Sequence, residues 1–353
     1  MPIEIDLELE PTRRVEVFDV RAEVLRRHGP VLEPYRRCLY ASHHTTAGYL
    51  PQSLGARIAA RPEGVESYLQ LLRTIFPERA GYRHDQIELR TDVPADQRDR
   101  EPINADSHLA FIAGGLHPSV SYAAQHPRPV YFVDLDGIHE GMRRQRRTTI
   151  FAYDDEEVVA RTRVVVPVSG HPIDAISLKQ PQLGLYDEVA ELIARHGVTN
   201  GRVRLELGRD EKHAGLTLNE YETLLMQHDL AEVLRNPLGF AAEKARHAWN
   251  DPLAVPAKAL AYARYDLVRA LNQLVDALGL GASRVERLLA RTLEVSASRF
   301  IRMRRSVDLP VSDARTPGRG ALVEGTYQVP ILVQWRQAEQ PTREITITLT
   351  RFV

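Results

Sequence analysis

Cysteine occurs once in 353 residues, at Cys38, which excludes an internal disulfide framework and any zinc site built on several thiolates. Lysine is nearly as scarce: Lys179, Lys212, Lys244 and Lys258 are all there is, so the basic charge is almost entirely arginine. Neither sign of charge is in excess, with 46 Lys and Arg against 47 Asp and Glu. No global field exists to hold nucleic acid or an anionic membrane. No apolar run approaches the roughly 20 residues that a membrane-spanning helix needs. A Walker loop, a GxGxxG turn after a strand and a GxSxG elbow are all missing, which removes the commonest nucleotide-binding and hydrolase signatures. The opening Met1-Pro-Ile-Glu-Ile-Asp6 is acidic where a signal peptide is basic and then apolar, so the expected compartment is the cytoplasm. What is present is ordinary for a globular protein: 43% hydrophobic and 26% charged residues, in a length that fits two domains.

The first stretch reads as mixed α and β. Strands are expected at Arg13–Val17, Arg37–Ser42, Ser119–Ala123, Val130–Asp134 and Thr148–Tyr153. Helices are expected at Asp19–His28, ended by Gly29, at Val65–Ile75 and at Asp106–Ala113, with a polar loop from Pro77 to Ile103. Asp154 to Glu157 reads as an acidic linker, and a new β-run starts at Arg163–Val168. The second stretch repeats this order. A helix at Tyr186–His196 closes in Arg195-His196-Gly197, as the first closes in Arg27-His28-Gly29, an offset of 168 (197 − 29). Strands at Arg37–Ser42 and Arg202–Leu207 then run into Ala47-Gly48 and Ala214-Gly215, an offset of 167 (214 − 47). A near-constant offset across helix, cap, strand and turn points to an internal duplication. The expected fold class is α+β, with tandem domains at 1–157 and 158–353. The second carries a helical insertion at about 236–297, periodic over Ala257–Leu278 and Ser283–Leu293, and the chain closes in β-runs at Tyr327–Trp335 and Glu344–Arg351.

Eight of the thirteen histidines precede residue 140, and three lie in polar, turn-rich settings: His44, His84 and His108. Neutral imidazole is the commonest side-chain metal ligand, and three of them leave an open position for water or substrate. Asp85 and Asp106 stand beside His84 and His108, where a carboxylate orients an imidazole and fixes its tautomer. The spacing has no HExxH-type local geometry, so three hydrogen-bonded loop histidines remain an equally simple reading.

These segments resemble the YjbQ family, whose members are called secondary thiamine-phosphate synthases. The family pattern runs His-Thr-Ser-Ala-Gly-Leu-Thr-Ile-Asn-Glu, then Tyr-x-His-Asp, then Asn-Ala-Asp-Ala-His. It closes with Gly-Thr-Trp-Gln, an aromatic strand ending in an acid, and a basic cluster. Here His44-Thr45-Thr46-Ala47-Gly48, Tyr82-Arg83-His84-Asp85 and Asn104-Ala105-Asp106-Ser107-His108 match in order and spacing, as does Tyr131-Phe132-Val133-Asp134 with Arg143 to Arg147. Together the motifs cover roughly residues 12–153. The resemblance implies an α+β sandwich, a trimer in relatives, and a site on His44, His84 and His108. It also implies a divalent metal ion, zinc being the expected one, and a small phosphorylated substrate. The family activity joins a pyrimidine pyrophosphate to a thiazole phosphate.

The first copy lacks two family features that the second retains. Gln52-Ser53 stands in place of Asn-Glu, and Gln125-His126-Pro127-Arg128 in place of Gly-Thr-Trp-Gln. The second copy has His213-Ala214-Gly215-Leu216-Thr217-Leu218-Asn219-Glu220 and Gly325-Thr326-Tyr327-Gln328, but Glu211 and Arg299 stand where histidines belong. Two readings follow. Either a composite site takes His44, His84 and His108 from one copy and Asn219, Glu220, Thr326 and Gln328 from the other, or the second copy is a scaffold.

The expected function is that of a metal-dependent transferase or hydrolase. In it Asp106, Asp85, Asn219 and Glu220 are catalytic, and Thr45, Arg143, Arg147, Thr326 and Gln328 contact substrate. The alternative is a non-catalytic binding module whose helical insertion docks a partner protein. Expected partners are therefore the small molecule and other copies of this chain, with no nucleic acid and no membrane. His43 points away from His44, and Cys38 reads as a small buried hydrophobe.

Overall fold

A computed structural model describes residues 1–60, 64–82, 84–89, 96, 98, 101–124, 128–139, 141–171, 174–220 and 303–353. The helical insertion at 236–297, Arg299, Arg83 and Gln125 to Pro127 lie outside the described residues.

The first half runs β1 (Ile3–Leu9), β2 (Glu16–Asp19), α1 (Val20–His28), β3 (Arg37–Ser42), β4 (Ala47–Tyr49), α2 (Gln52–Ala59), α3 (Gly64–Ile75), α4 (Ala105–Ala113), β5 (Ser119–Ala123), β6 (Tyr131–Asp134), a β7–β8 ribbon (Ile138–His139, Met142–Arg143) and β9 (Arg146–Tyr153). The second runs β10 (Glu156–Pro167), β11 (Asp174–Ser177), α5 (Leu185–His196), β12 (Gly201–Leu207), β13 (Ala214–Asn219), β14 (Ser306–Ser312), β15 (Ala321–Leu322), β16 (Val329–Gln334) and β17 (Thr342–Phe352). Sheet order repeats between the halves. The order β1-β9-β3-β5 is answered by β10-β17-β12-β14, which β15 extends, and β2-β6-β4 by β11-β16-β13. All of these pairings are antiparallel, and the class is α+β.

Local chemistry sets the elements. In β12 Val203, Leu205 and Leu207 point inward while Arg202, Arg204 and Glu206 point out, the period of a sheet with one wet face. Helix α1 is capped by Asp19, whose carboxylate accepts from Arg21 N and Ala22 N, and α5 ends at Gly197 with φ 56. The repeated Ala-Gly has a steric cause. A Cβ on Gly48 would lie 2.6 Å from both His117 O and the Phe111 ring, and one on Gly215 would overlap Met303.

Two boundaries differ from the sequence expectation, and several elements were not expected. The strand expected at Arg13–Val17 begins at Glu16, because the Glu16 carboxylate accepts from Thr12 N and Arg13 N and holds a turn there. The acidic linker shrinks to Asp154 and Asp155, and β10 starts at Glu156 and runs through the expected 157/158 boundary. Strands β1, β4, β7, β8, β11, β13, β14 and β15 and helix α2 were not anticipated, and the Ala-Gly steps read as turns lie within β4 and β13.

One core joins the halves: Met303, Ile331 and Val333 pack with Leu109, Phe111 and Leu116. Elsewhere Tyr153 stacks on Phe352 at 4.0 Å. Among the described residues no helix is long and apolar enough to cross a membrane.

Candidate metal centre between the two halves

Helix α4 carries His108 in its first turn, and Asp85 fixes where that turn begins by accepting from Ala105 N at 3.0 Å. The same Asp85 oxygen accepts from His84 Nδ1 at 3.2 Å, which leaves the lone pair of that ring on Nε2. The rings of His84 and His108 lie 5.2 Å apart, and both residues are buried. The second half closes the cluster. Strand β13 ends in Asn219, whose Oδ1 accepts from His108 Nδ1 and from Glu220 N, both at 2.8 Å, while its Nδ2 donates to Thr45 O at 2.9 Å. With Nδ1 donating, His108 keeps its lone pair on Nε2, 3.7 Å from Glu220 Oε2. Thr45 Oγ1 donates to the other Glu220 oxygen at 2.6 Å. Potential ligand atoms of His84, His108 and Glu220 all lie within 4.8 Å of one another.

Around this trio the buried polar chemistry is unfinished. Among the described residues seven buried side-chain polar atoms have no hydrogen-bond partner, and five of them are Arg14 Nε, Asp85 Oδ2, Asn104 Oδ1, His108 Nε2 and Asp136 Oδ1. A buried polar atom without a partner costs about 1–3 kcal/mol, so a concentration of them marks a place where something else is meant to bind. Two imidazoles and a carboxylate are also a common donor set for catalytic zinc, so the residues present fit a metal ion. Burial holds His108 below the usual imidazole range, against the opposing pull of Glu220. Burial likewise lifts Asp106 to about 7, although Arg14 binds both of its oxygens at 2.9 and 3.1 Å.

His44 is a correction to the sequence reading. Its Nε2 accepts from Arg147 N at 2.7 Å, which spends that nitrogen on the strand backbone, and Glu220 stands in the cluster instead. His43 turns elsewhere, its Nε2 bonding Thr149 Oγ1 at 2.8 Å. The arginines of the basic cluster take different places. Arg143 pairs with Glu10 and Arg147 with Asp6, both on the surface, whereas Arg146 is buried and grips Asp134 through two nitrogens at 2.8 Å each. Arg144 binds Asp136 at 3.1 Å, and Asn104 Nδ2 donates to the same Asp136 oxygen at 2.8 Å. Gln328 is buried with its amide fully used: Nε2 donates to Ser42 O and His44 O at 2.9 and 3.1 Å, and Oε1 accepts from Gly325 N. It fastens the second half to the first, with both hydrogens of its amide spent on backbone carbonyls. Thr326 is exposed on the same turn. Cys38 is wholly buried, and burial pushes its thiol up to about 11, which removes it as a nucleophile.

Residues that the sequence reading passed over are Arg14, Asn104 and Asp136, while Arg146 was read only as one of the basic cluster. Asn104 lies within the third motif, Asp136 two residues past the closing acid, and Arg146 within the basic cluster, so each had a local signal. Arg14 had none.

The partly buried histidines carry a prediction of their own. Burial, the largest cause for each, and nearby arginines lower His43 to about 4, His44 to about 3 and His117 to about 2. Below about pH 6.5 the unfolded chain takes up protons that these folded imidazoles refuse. Stability is therefore full above that pH and is lost as pH falls toward the folded values, by at most about 1.4 kcal/mol per pH unit for each group. Urea midpoints at pH 7, 5.5 and 4.5 test this. A midpoint unchanged on acidification, or a slope that His117→Gln fails to flatten, refutes the assignment.

No protein-family model matches the chain, and neither does any curated protein. Among solved structures it is similar to a YbjQ-like protein of unknown function from Sulfolobus solfataricus P2, with 16% identity over 56% of this chain and 99% of that one, at a TM-score of 0.27. A hypothetical protein from Aeropyrum pernix K1 gives 16% identity over 54% and 96% of the two chains, with a TM-score of 0.26. An uncharacterized conserved protein of the YjbQ/UPF0047 family from Clostridium acetobutylicum gives 12% identity over 54% and 99%, with a TM-score of 0.25. The chain is similar to YjbQ/UPF0047 proteins, each matched nearly whole by a little over half of this one.

Proposed function

We propose that this chain is a metal-dependent enzyme acting on a small phosphorylated molecule, with His84, His108 and Glu220 as the ligands of one divalent ion. The observation that carries the reading is His108 Nε2, buried, without a hydrogen-bond partner among the described residues, and 3.7 Å from a Glu220 oxygen. Zinc suits this donor set. When bound, such an ion supplies Lewis acidity at a phosphoryl or carbonyl oxygen, or makes a nucleophile of water.

The chain's own residues divide the remaining work. Asn219 and Asp85 hold the two imidazoles in the tautomers that present Nε2, and Thr45 holds one Glu220 oxygen so that the other faces His108. Asp106 is the proton acceptor in this reading, its charge balanced by Arg14. Arg144, tied to Asp136 beside the cluster, takes the anion-contact role in place of Arg143 and Arg147. The phosphorylated substrate class, and transfer or hydrolysis as the reaction, come from the motif resemblance.

The test is metal analysis of purified protein beside His84→Ala, His108→Ala and His44→Ala, followed by a screen of phosphorylated metabolites. One divalent ion per chain is expected in the wild type and in His44→Ala, and none in the other two. No ion after reconstitution, or equal loading in His108→Ala, defeats the reading.

A further inference from the structure

The two remaining buried polar atoms without a partner both belong to one residue, Arg304, through its Nη1 and Nη2. Its position is defined by the repeated topology. In the first half Tyr49 of β4 pairs with His117, and in the second Leu216 of β13 pairs with Arg304. Both pairings use the same backbone bonds, Tyr49 N to His117 O and Leu216 N to Arg304 O, each 2.8 Å. Each residue stands just before its sheet's strand, β5 or β14. Arg304 thus occupies in the second half the place of His117 in the first.

The exchange changes the physics. An imidazole meets burial by losing its proton, and His117 is pressed to about 2. A guanidinium gives up its proton far less readily. Burial pulls Arg304 down only to about 9, so it is cationic at neutral pH. A buried guanidinium with two unbonded NH2 groups is among the costliest features a fold can hold, unless a counter-charge reaches it.

The protein supplies space for one. Arg304 and His117 both line a cavity of about 310 Å³ at the seam between β5 and β14, together with Gln52, Ser119, Ser306 and Arg37. The two acids on that wall are already engaged. Asp308 takes both nitrogens of the Arg204 fork at 2.7 and 2.8 Å, and Glu156 takes Arg202 at 2.7 Å. Setting those two pairs aside leaves two arginines, Arg37 and Arg304, and no acid, so the remaining charge on the lining is positive.

We propose that this seam is a second binding site, distinct from the metal centre, for a small oxyanion whose phosphate or carboxylate group is gripped by Arg304. A guanidinium fork donates to two oxygens of one anion side by side, and the cavity has room for a small molecule around that group. The site needs both halves of the chain, since His117, Ser119 and Gln52 come from one and Arg304 and Ser306 from the other. It does not depend on the metal-centre reading.

The experiment titrates inorganic phosphate and acetate separately into the full-length protein, in a phosphate-free buffer with a chelator, and follows calorimetry and melting temperature. Saturable binding of at least one anion is expected, weakened about 100-fold or more in Arg304→Met and less in Arg304→Lys. Without anion, Arg304→Met is expected to melt no lower than the wild type, because it removes an uncompensated charge. His108→Ala is expected to bind the anion as the wild type does, which separates this site from the metal centre. Binding that is absent in the wild type, or equal in Arg304→Met and Arg304→Lys, overturns the proposal. So does a lower melting temperature for Arg304→Met without anion, since that shows an internal partner.

Discussion

Glu220→Gln is expected to destroy tight metal binding while leaving the metal-free fold intact. The substitution keeps the side-chain length and an oxygen to accept from Thr45, so the contact between the halves survives. What it removes is the anionic oxygen facing His108 Nε2 across 3.7 Å. A neighbour that only orients a ligand is worth about 10–100-fold in affinity, and a lost anionic ligand is expected to exceed that range. Asn219→Leu provides the comparison. Asn219 is wholly buried and serves His108, Glu220 N and Thr45 O at once. Its loss is expected to weaken metal binding by about 10–100-fold and to cost about 1–3 kcal/mol of stability. Competition against a chromophoric chelator, with melting curves of the metal-free forms, distinguishes the two. If Glu220→Gln binds zinc as tightly as the wild type, the ligand set is wrong.

Arg146→Met is expected to give the largest loss of stability. Arg146 and Asp134 are both buried and joined at two points, and Arg146 also reaches Thr46 Oγ1 at 3.3 Å. Removing one member of such a pair strands the other charge, at about 3–5 kcal/mol, or on the order of 10 °C in melting temperature. Burial already raises the Asp134 carboxyl, and Arg146 is the main influence opposing that rise. Without the arginine the folded carboxyl moves further above its unfolded value. Its contribution is then complete at acid pH and lost as pH rises through the folded value, so the deficit of the variant grows with pH. Adding Asp134→Leu is expected to recover most of the loss, because two apolar residues leave no stranded charge. A single variant that melts with the wild type, or a double no better than the single, contradicts this account.

The second half offers a natural comparison for that pair. Ala47 is paired with Asp134 in the first half, and Ala214 with Gln334 in the second. Gln334 accepts from buried Arg343 Nε at 3.1 Å, so an arginine on the final strand meets a neutral amide where the first half uses a carboxylate. Arg343 finds its acid in Glu211 instead, at 2.7 Å. Glu211 is the residue that stands in place of the first motif's histidine, so the second half has turned that position from a ligand candidate into an ion pair.

Much of the fold was legible before any coordinates. β-type runs marked β3 and β12, closing glycines marked α1 and α5, and the paired Arg-His-Gly endings and Ala-Gly steps announced the repeated strand order. Those signals are local, since each depends on residues a few positions apart. Strand β14 was missed because its sequence, Ser306-Val-Asp-Leu-Pro-Val-Ser312, holds a proline and follows a long helical pattern. The arginine cluster was misread for a related reason. Strand alternation decides that Arg146 turns inward and Arg147 outward, but not which face of the sheet is buried.

The sequence by itself determined the fold class, the repeat and the residue types able to bind a metal, because periodicity, capping and motif spacing are properties of the local chain. It also put His84, His108, Asn219 and Glu220 among the candidates. Only the tertiary structure decided that Glu220 and not His44 stands in the trio, and that the guanidinium of Arg304, a residue lining a cavity, is buried without a hydrogen-bond partner. The hydrogen bond from Thr45 to Glu220 spans 175 positions and that from His108 to Asn219 spans 111. Over such separations nothing in local sequence fixes which polar atoms meet; packing of the two halves does, by leaving each buried group either a partner or none.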